Sequence, residues 1–195
     1  MRRRRGLYRA PMTRKVLLDA CVLFPSLVRG ILIGIAERGV FAPVWSERIL
    51  GEWRIAVARQ HGLYAEAEVI AAQAGLPRRF PDASVEAWPE IESQIHLPDP
   101  ADAHVLGAAI AGGADILLTF NLKDFPRRIV EPLGIEVQHP DGYLWSLLGE
   151  APDMVTVAAT HALDTAGIAP ERRRAALKRA KLPRFAKALE ALPKR

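Results

Sequence analysis

Six oxygen-bearing side chains carry the chemistry this sequence can offer: Asp19, Glu52, Asp99, Asp102, Asn121 and Asp124. Asp19 interrupts the apolar run VLLDACVLFPSL, and an acid inside a buried strand demands a partner, because an unpaired buried charge is strongly unfavourable. Asp99 and Asp102 fall in LPDPADAHVLGAAI, while Asn121 and Asp124 follow directly on the apolar run of DILLTF. Carboxylates gathered close together repel one another, and a divalent cation offsets that repulsion. Oxygen-only ligands favour hard cations such as Mg²⁺ or Mn²⁺, and no Cys/His pair stands at zinc spacing. Carboxylate-held Mg²⁺ retains waters and suits phosphate chemistry, so the expected reaction class is metal-assisted hydrolysis of a phosphodiester in nucleic acid. Each acid also has a plainer reading: Asp102 as a helix N-cap, Asp124 as a turn residue, Glu52 as a solvated helix residue, and Asp19 as a cap bonded to loop amides.

For these acids to meet, the chain must bring them to one edge. Residues 16–18 and 22–24 form a continuous apolar run, the pattern of a strand buried on both faces in a parallel sheet. A helix is expected over 31–38, closed by Gly39, and a strand over 40–44. Ser46 suits the N-cap of a helix running through ERILGEWRIAVARQHG, with Glu47 in its first turn and Gly62 as its stop. Ile49, Trp53, Ala56 and Val57 share one face of that helix. Glu52 stands at the border of that face, where a carboxylate turns inward only towards something positive. Further helices are expected over 64–74 and from an Asp82 cap towards Ser93, irregular around Pro89.

Pro100 and Asp102 open a helix that stops at Gly112 and Gly113, followed by strands over 115–120 and 134–138. The glycine pair is a helix stop, since neither phosphate-loop glycine pattern is complete. Strands alternating with helices give an α/β fold with a parallel sheet. Ligands of such sheets bind outside the carboxyl ends of the strands, where Asp19, Asn121 and Asp124 fall and which Asp99 and Asp102 can face.

With 195 residues, half of them apolar, the chain can bury one sizeable core. Cys21 is the one cysteine, so no intrachain disulfide forms; a small buried thiol and a reducing, cytoplasmic home are expected. No apolar stretch reaches the roughly 18 residues of a membrane span, and MRRRRGLYRAPMTRK leads into no secretory core. Met12 offers an alternative start. Net charge is +5, with arginines and lysines gathered near both ends, a pattern that attracts phosphate backbones or merely solvates a surface. The expected division is a basic leader at 1–14, a nuclease-like domain at 15–142 and a C-terminal helical extension at 143–195, with Gly167 and Pro170 punctuating three short helices.

Taken in order and spacing across 16–138, VLLDACVL, SERILGEW, LPDPADAHVLGAAI and LLTFNLKDFP resemble the PIN-domain ribonucleases, most of all their VapC-type toxin branch. The resemblance implies a three-layer α/β fold with a mostly parallel central sheet, here with a C-terminal helical appendage. It implies a metal-dependent endoribonuclease in which Asp19, Asp102 and Asp124 hold Mg²⁺ or Mn²⁺. Glu52 would bind directly or through water, with Asp99 close by. Many PIN domains carry a further Asp where this chain has Asn121, so a second metal would be held less tightly. A cognate antitoxin and a homodimer are implied on the same basis.

Thr119 either orients a ligand through its hydroxyl or is an ordinary buried strand residue. His96 and His104 are expected at the surface or in caps, and no tryptophan is assigned to the site, Trp53 and Trp145 reading as core or interface. Two rivals remain: a nucleic-acid-binding module with a vestigial acidic site and a basic C-terminal helix, and a metal-dependent phosphatase. Asp19-Ala20-Cys21 argues against the phosphatase, lacking the D-x-D of an aspartyl-phosphate enzyme.

Overall fold

The computed structural model of the protein describes residues 13–86 and 89–192; the leader through residue 12 and Trp88 lie outside them. Five strands build the sheet: β1 (Lys15–Leu18), β2 (Ala42–Ser46), β3 (Ser84–Val85), β4 (Ile116–Leu118) and β5 (Glu136–Gln138). Their order is β3-β2-β1-β4-β5, every neighbouring pair parallel, with Leu17 opposite Val44 on one side and Leu117 on the other. Val16, Leu17 and Leu18 are wholly buried, as a central strand covered on both faces must be.

The strand ends at Leu18, and residues 22–24 do not extend it. The Val22 and Leu23 amides both donate to the Asp19 carbonyl, at 3.0 and 3.3 Å, turning the chain into the helical turn Ala20–Leu23. A short apolar run reads alike in strand and helix, and here the local hydrogen bonds decide. Helix α1 (Ser26–Glu37) follows and starts earlier than the apolar pattern suggested. Ser46 caps α2 (Glu47–His61) as expected, its Oγ accepting from the Ile49 amide at 3.3 Å; α3 (Leu63–Ala74) folds back on α2.

No helix starts at Asp82. Trp45 instead donates its amide to Ala83 at 2.9 Å, drawing Ser84–Val85 into the sheet as β3, and among the described residues of this stretch helix is confined to the turn Pro89–Glu92. A two-residue strand owes its existence to its neighbour, which local sequence does not report.

Helix α4 (Ala103–Gly112) lies against β1, β2 and β4 after a 3₁₀ turn at Pro100–Asp102. Its last residue is a tight fit for glycine: a Cβ on Gly112 would stand 2.5 Å from Val44 Cγ1 and force a shift. Gly113 then ends the helix in the left-handed region at φ 59°. Among the described residues four α-helices follow β5: α5 (Pro140–Glu150), α6 (Pro152–Thr165), α7 (Arg173–Arg179) and α8 (Pro183–Glu190). The position 142 falls inside α5, and Val155, Leu163, Leu177 and Phe185 share one core with the strands. Helix α6 packs closely along α1, where a Cβ on Gly34 would meet Ala158 Cβ at 3.3 Å. Among the described residues no helix is long and apolar enough to cross a membrane.

Candidate functional site

The order of the sheet changes direction between β1 and β4, because the chain leaves β1 towards β2 and β3 and returns on its other side. Loops diverge above such a point and leave a crevice at the carboxyl ends of the two strands. Asp19 follows β1 there and Thr119 follows β4. The Asp19 amide donates to Leu118 O at 3.2 Å, and the Thr119 hydroxyl donates to Asp19 Oδ2 at 2.7 Å, so the two strand ends are tied together.

Asp19 is 8% exposed and gains a second donor from Cys21, whose thiol lies 3.0 Å from the same Oδ2. The Phe120 amide donates to Cys21 Sγ at 3.2 Å, and the Asn121 amide to Thr119 Oγ1 at 3.0 Å. Burial first, then the charge and hydrogen bond of Asp19, push the Cys21 thiol up to about 12. At neutral pH it is therefore a hydrogen-bond donor and not a nucleophile. Among the described residues Asp19 receives no loop amide at its carboxylate, so it is no simple cap.

Asp102 opens α4 without capping it. Burial raises its carboxyl to about 6, with Asp19, Asp124 and Asp99 adding to the shift and His104 opposing it. Those neighbours place the four acids on one edge. None of Asp19, Asp102 and Asp124 forms an ion pair with a lysine or arginine among the described residues. Asp99 plays the structural part, accepting from the Ala101 amide at 2.9 Å, while Asp124 ends the 3₁₀ turn Leu122–Asp124 and Asn121 is exposed beside it.

Glu52 has a partner the sequence did not supply. His104 Nε2 stands 2.9 Å from its Oε1, and Arg48 Nε lies 3.7 Å away, so a protein group meets the carboxylate. His104 itself is 2% exposed, contrary to the expected surface or cap position, and its Nδ1 is buried without a hydrogen-bond partner among the described residues. The signal lay in AHVLGAAIAG, where histidine is the lone polar side chain of an otherwise apolar helix. His96, exposed and bonded to the Gln94 carbonyl, fits its expectation. For Cys21 the sequence offered only its spacing from Asp19.

The donor set is all oxygen, crowded and uncompensated, which fits a hard divalent cation in chemistry. Among the described residues no three acidic, histidine or cysteine side chains close around a single point at metal distance. The acids thus share an edge and an electrostatic penalty without forming a finished cage.

A family model described as PIN domain matches residues 15–123, which span all the acidic residues of this edge except Asp124. Over 43 residues the chain is 44% identical to "Putative ribonuclease VapC50" of Mycobacterium tuberculosis (strain ATCC 25618 / H37Rv). That stretch is 22% of this chain and 25% of the relative, so the likeness covers a quarter of the relative's length. No solved structure matches the chain.

Proposed function

This chain belongs to the PIN-domain family, and from that premise we propose that it is a divalent-metal-dependent endoribonuclease, the toxin of a toxin–antitoxin pair. The observation that carries the reading is Asp102, a carboxyl raised to about 6 among Asp19, Asp124 and Asp99 at the carboxyl edge of a parallel sheet. The partial likeness to a protein named a ribonuclease supports RNA as the substrate.

Asp19, Asp102 and Asp124 would hold Mg²⁺ or Mn²⁺, with Glu52 contributing directly or through water. Such an ion, when bound, offsets the carboxylate repulsion and stabilises charge developing on a phosphodiester. Thr119 and Cys21 fix one oxygen of Asp19, leaving Oδ1 without a donor among the described residues. His104 holds Glu52 at the rim, and a carboxylate of this edge, together with the ion, would help to deprotonate an attacking water. The nuclease unit would span 15–142 with a leader at 1–14 and the extension 143–195; a cognate antitoxin, a homodimer and a reducing cytoplasmic setting complete the proposal.

The binding-module reading keeps one supporting observation, the absence of a closed metal cage among the described residues. The two are separated by incubating a mixed RNA pool with partner-free protein in EDTA, Mg²⁺ or Mn²⁺. Cutting that needs the metal supports the nuclease; RNA bound but intact in every condition supports the module.

A further inference from the structure

The basic side chains of the C-terminal helices divide into two kinds. Arg173 pairs with Asp164 and Arg174 with Glu190, in ordinary surface ion pairs. Lys181 and Arg184 make no ion pair among the described residues, and each lies over an aromatic ring instead. Lys181 Nζ is 5.4 Å from the Phe120 centroid, and Arg184 Cζ is 4.5 Å from the Trp145 centroid.

Their placement is constrained from several directions. Lys181 stands in the turn between α7 and α8 at φ 61°, a left-handed conformation that disfavours any residue with a Cβ. That conformation accompanies an ammonium set over Phe120, the residue between Thr119 and Asn121 on the acidic edge. Asp141 is 6% exposed and accepts from the Arg184 and Phe185 amides at 3.1 and 2.9 Å. It thereby locks the start of α8 to the start of α5, the helix that carries Trp145, a residue 48% exposed. His139, at the carboxyl end of β5, meets Phe120 edge-on at 5.1 Å and ties the group to the sheet.

We propose that this surface is the track along which a single-stranded RNA reaches the acidic edge. Lys181 and Arg184 receive successive phosphates, and Trp145 offers its exposed face to an unpaired base. Cations already held over rings have lost much of their rotamer freedom before a phosphate arrives, and so bind it at a lower ordering cost. Trp145, Lys181 and Arg184 lie beyond the residues matched by the family model. The inference rests on the reading of the chain as a nuclease acting on RNA.

The test is the affinity of the full chain for a fluorescein-labelled, mixed-sequence single-stranded RNA, followed over a range of KCl concentrations in EDTA so that the strand stays whole. The variants are Lys181→Gly, which suits the positive φ, combined with Arg184→Ala; Trp145→Ala; and the control Arg173→Ala with Arg174→Ala. Thermal unfolding verifies that each is folded. Loss of two phosphate contacts should lower the slope of log affinity against log salt by about 1.4. Loss of the indole should weaken binding about five- to a hundredfold, and the control should change neither. Folded track variants that bind like the parent overturn the proposal, as does a parent that binds no single-stranded RNA. A parent that cuts RNA yet is indifferent to these substitutions sinks the track alone and leaves the nuclease standing. A parent that cuts nothing with either metal, but binds through these residues, supports the track and sinks the nuclease.

Discussion

The two ends of the strand pair β1 and β4 handle charge in opposite ways. At the amino end, the Lys15 amide donates to Asp115 Oδ2 at 2.8 Å and the Lys15 ammonium reaches the Gly112 carbonyl at 3.0 Å, so donors meet acceptors. At the carboxyl end, Asp19, Asp124 and Asp99 all raise the Asp102 carboxyl against the opposing effect of His104, and among the described residues no lysine or arginine pairs with Asp19, Asp102 or Asp124. The same two strands thus end once in a matched structural contact and once in a stored repulsion. A carboxylate that the fold has satisfied holds the fold; carboxylates that the fold has left in mutual conflict are poised for a ligand of opposite charge.

The comparison breaks first at Asp19. Asp19→Asn removes one carboxylate charge from the crowded end while keeping an oxygen for Thr119, and RNA cutting should fall by about 10² to 10⁴ with the protein still folded. A variant that cuts like the parent would place the chemistry elsewhere. The next largest effect lies in the element that carries Asp102 to the edge. Gly112→Ala forces a Cβ against Val44 and should destabilise by about 1–3 kcal/mol, read as a lowered urea midpoint.

Asp102→Asn sharpens the contrast because its sign is reversed. The folded carboxyl titrates near 6, above its unfolded value, so the folded state holds its proton more tightly. This group's contribution to stability therefore falls as pH rises from about 4 through 6, and the penalty is complete above that range. The asparagine variant should gain about 1 kcal/mol at pH 7, discounted for the solvent around a half-buried group, and nothing at pH 4. Thermal melts of metal-free protein at the two pH values check it. At the matched end, Asp115→Ala should cost about 0.5–1.5 kcal/mol, a small loss for an exposed hydrogen bond, and leave cutting by the folded protein intact.

The matched and conflicted ends differed in how far sequence revealed them. Asp19 at the end of β1, the Ser46 cap and the Gly113 stop were legible because each depends on residues adjacent in the chain. So was the carboxyl edge as the meeting place, since that follows from the alternation of strands and helices. The end of β1 was misread because VLLDACVL has the same composition as strand or as strand and turn, and the Asp19 carbonyl decides between them. Strand β3 stayed hidden because its pairing with β2 is made by tertiary contact. The partners of Asp19 and Glu52 were hidden for the same reason: Thr119 lies 100 residues from Asp19, and His104 reaches Glu52 from a different helix. Glu52 keeps a side chain 40% exposed and meets the His104 imidazole.

The central claim is that the acidic edge exists to take a cation, and the most direct measurement is the titration of the Asp102 carboxyl by NMR with and without Mg²⁺. The account predicts a midpoint near 6 in metal-free protein and a clear fall when Mg²⁺ is added, because the ion favours the charged form. A midpoint that Mg²⁺ leaves in place would contradict it.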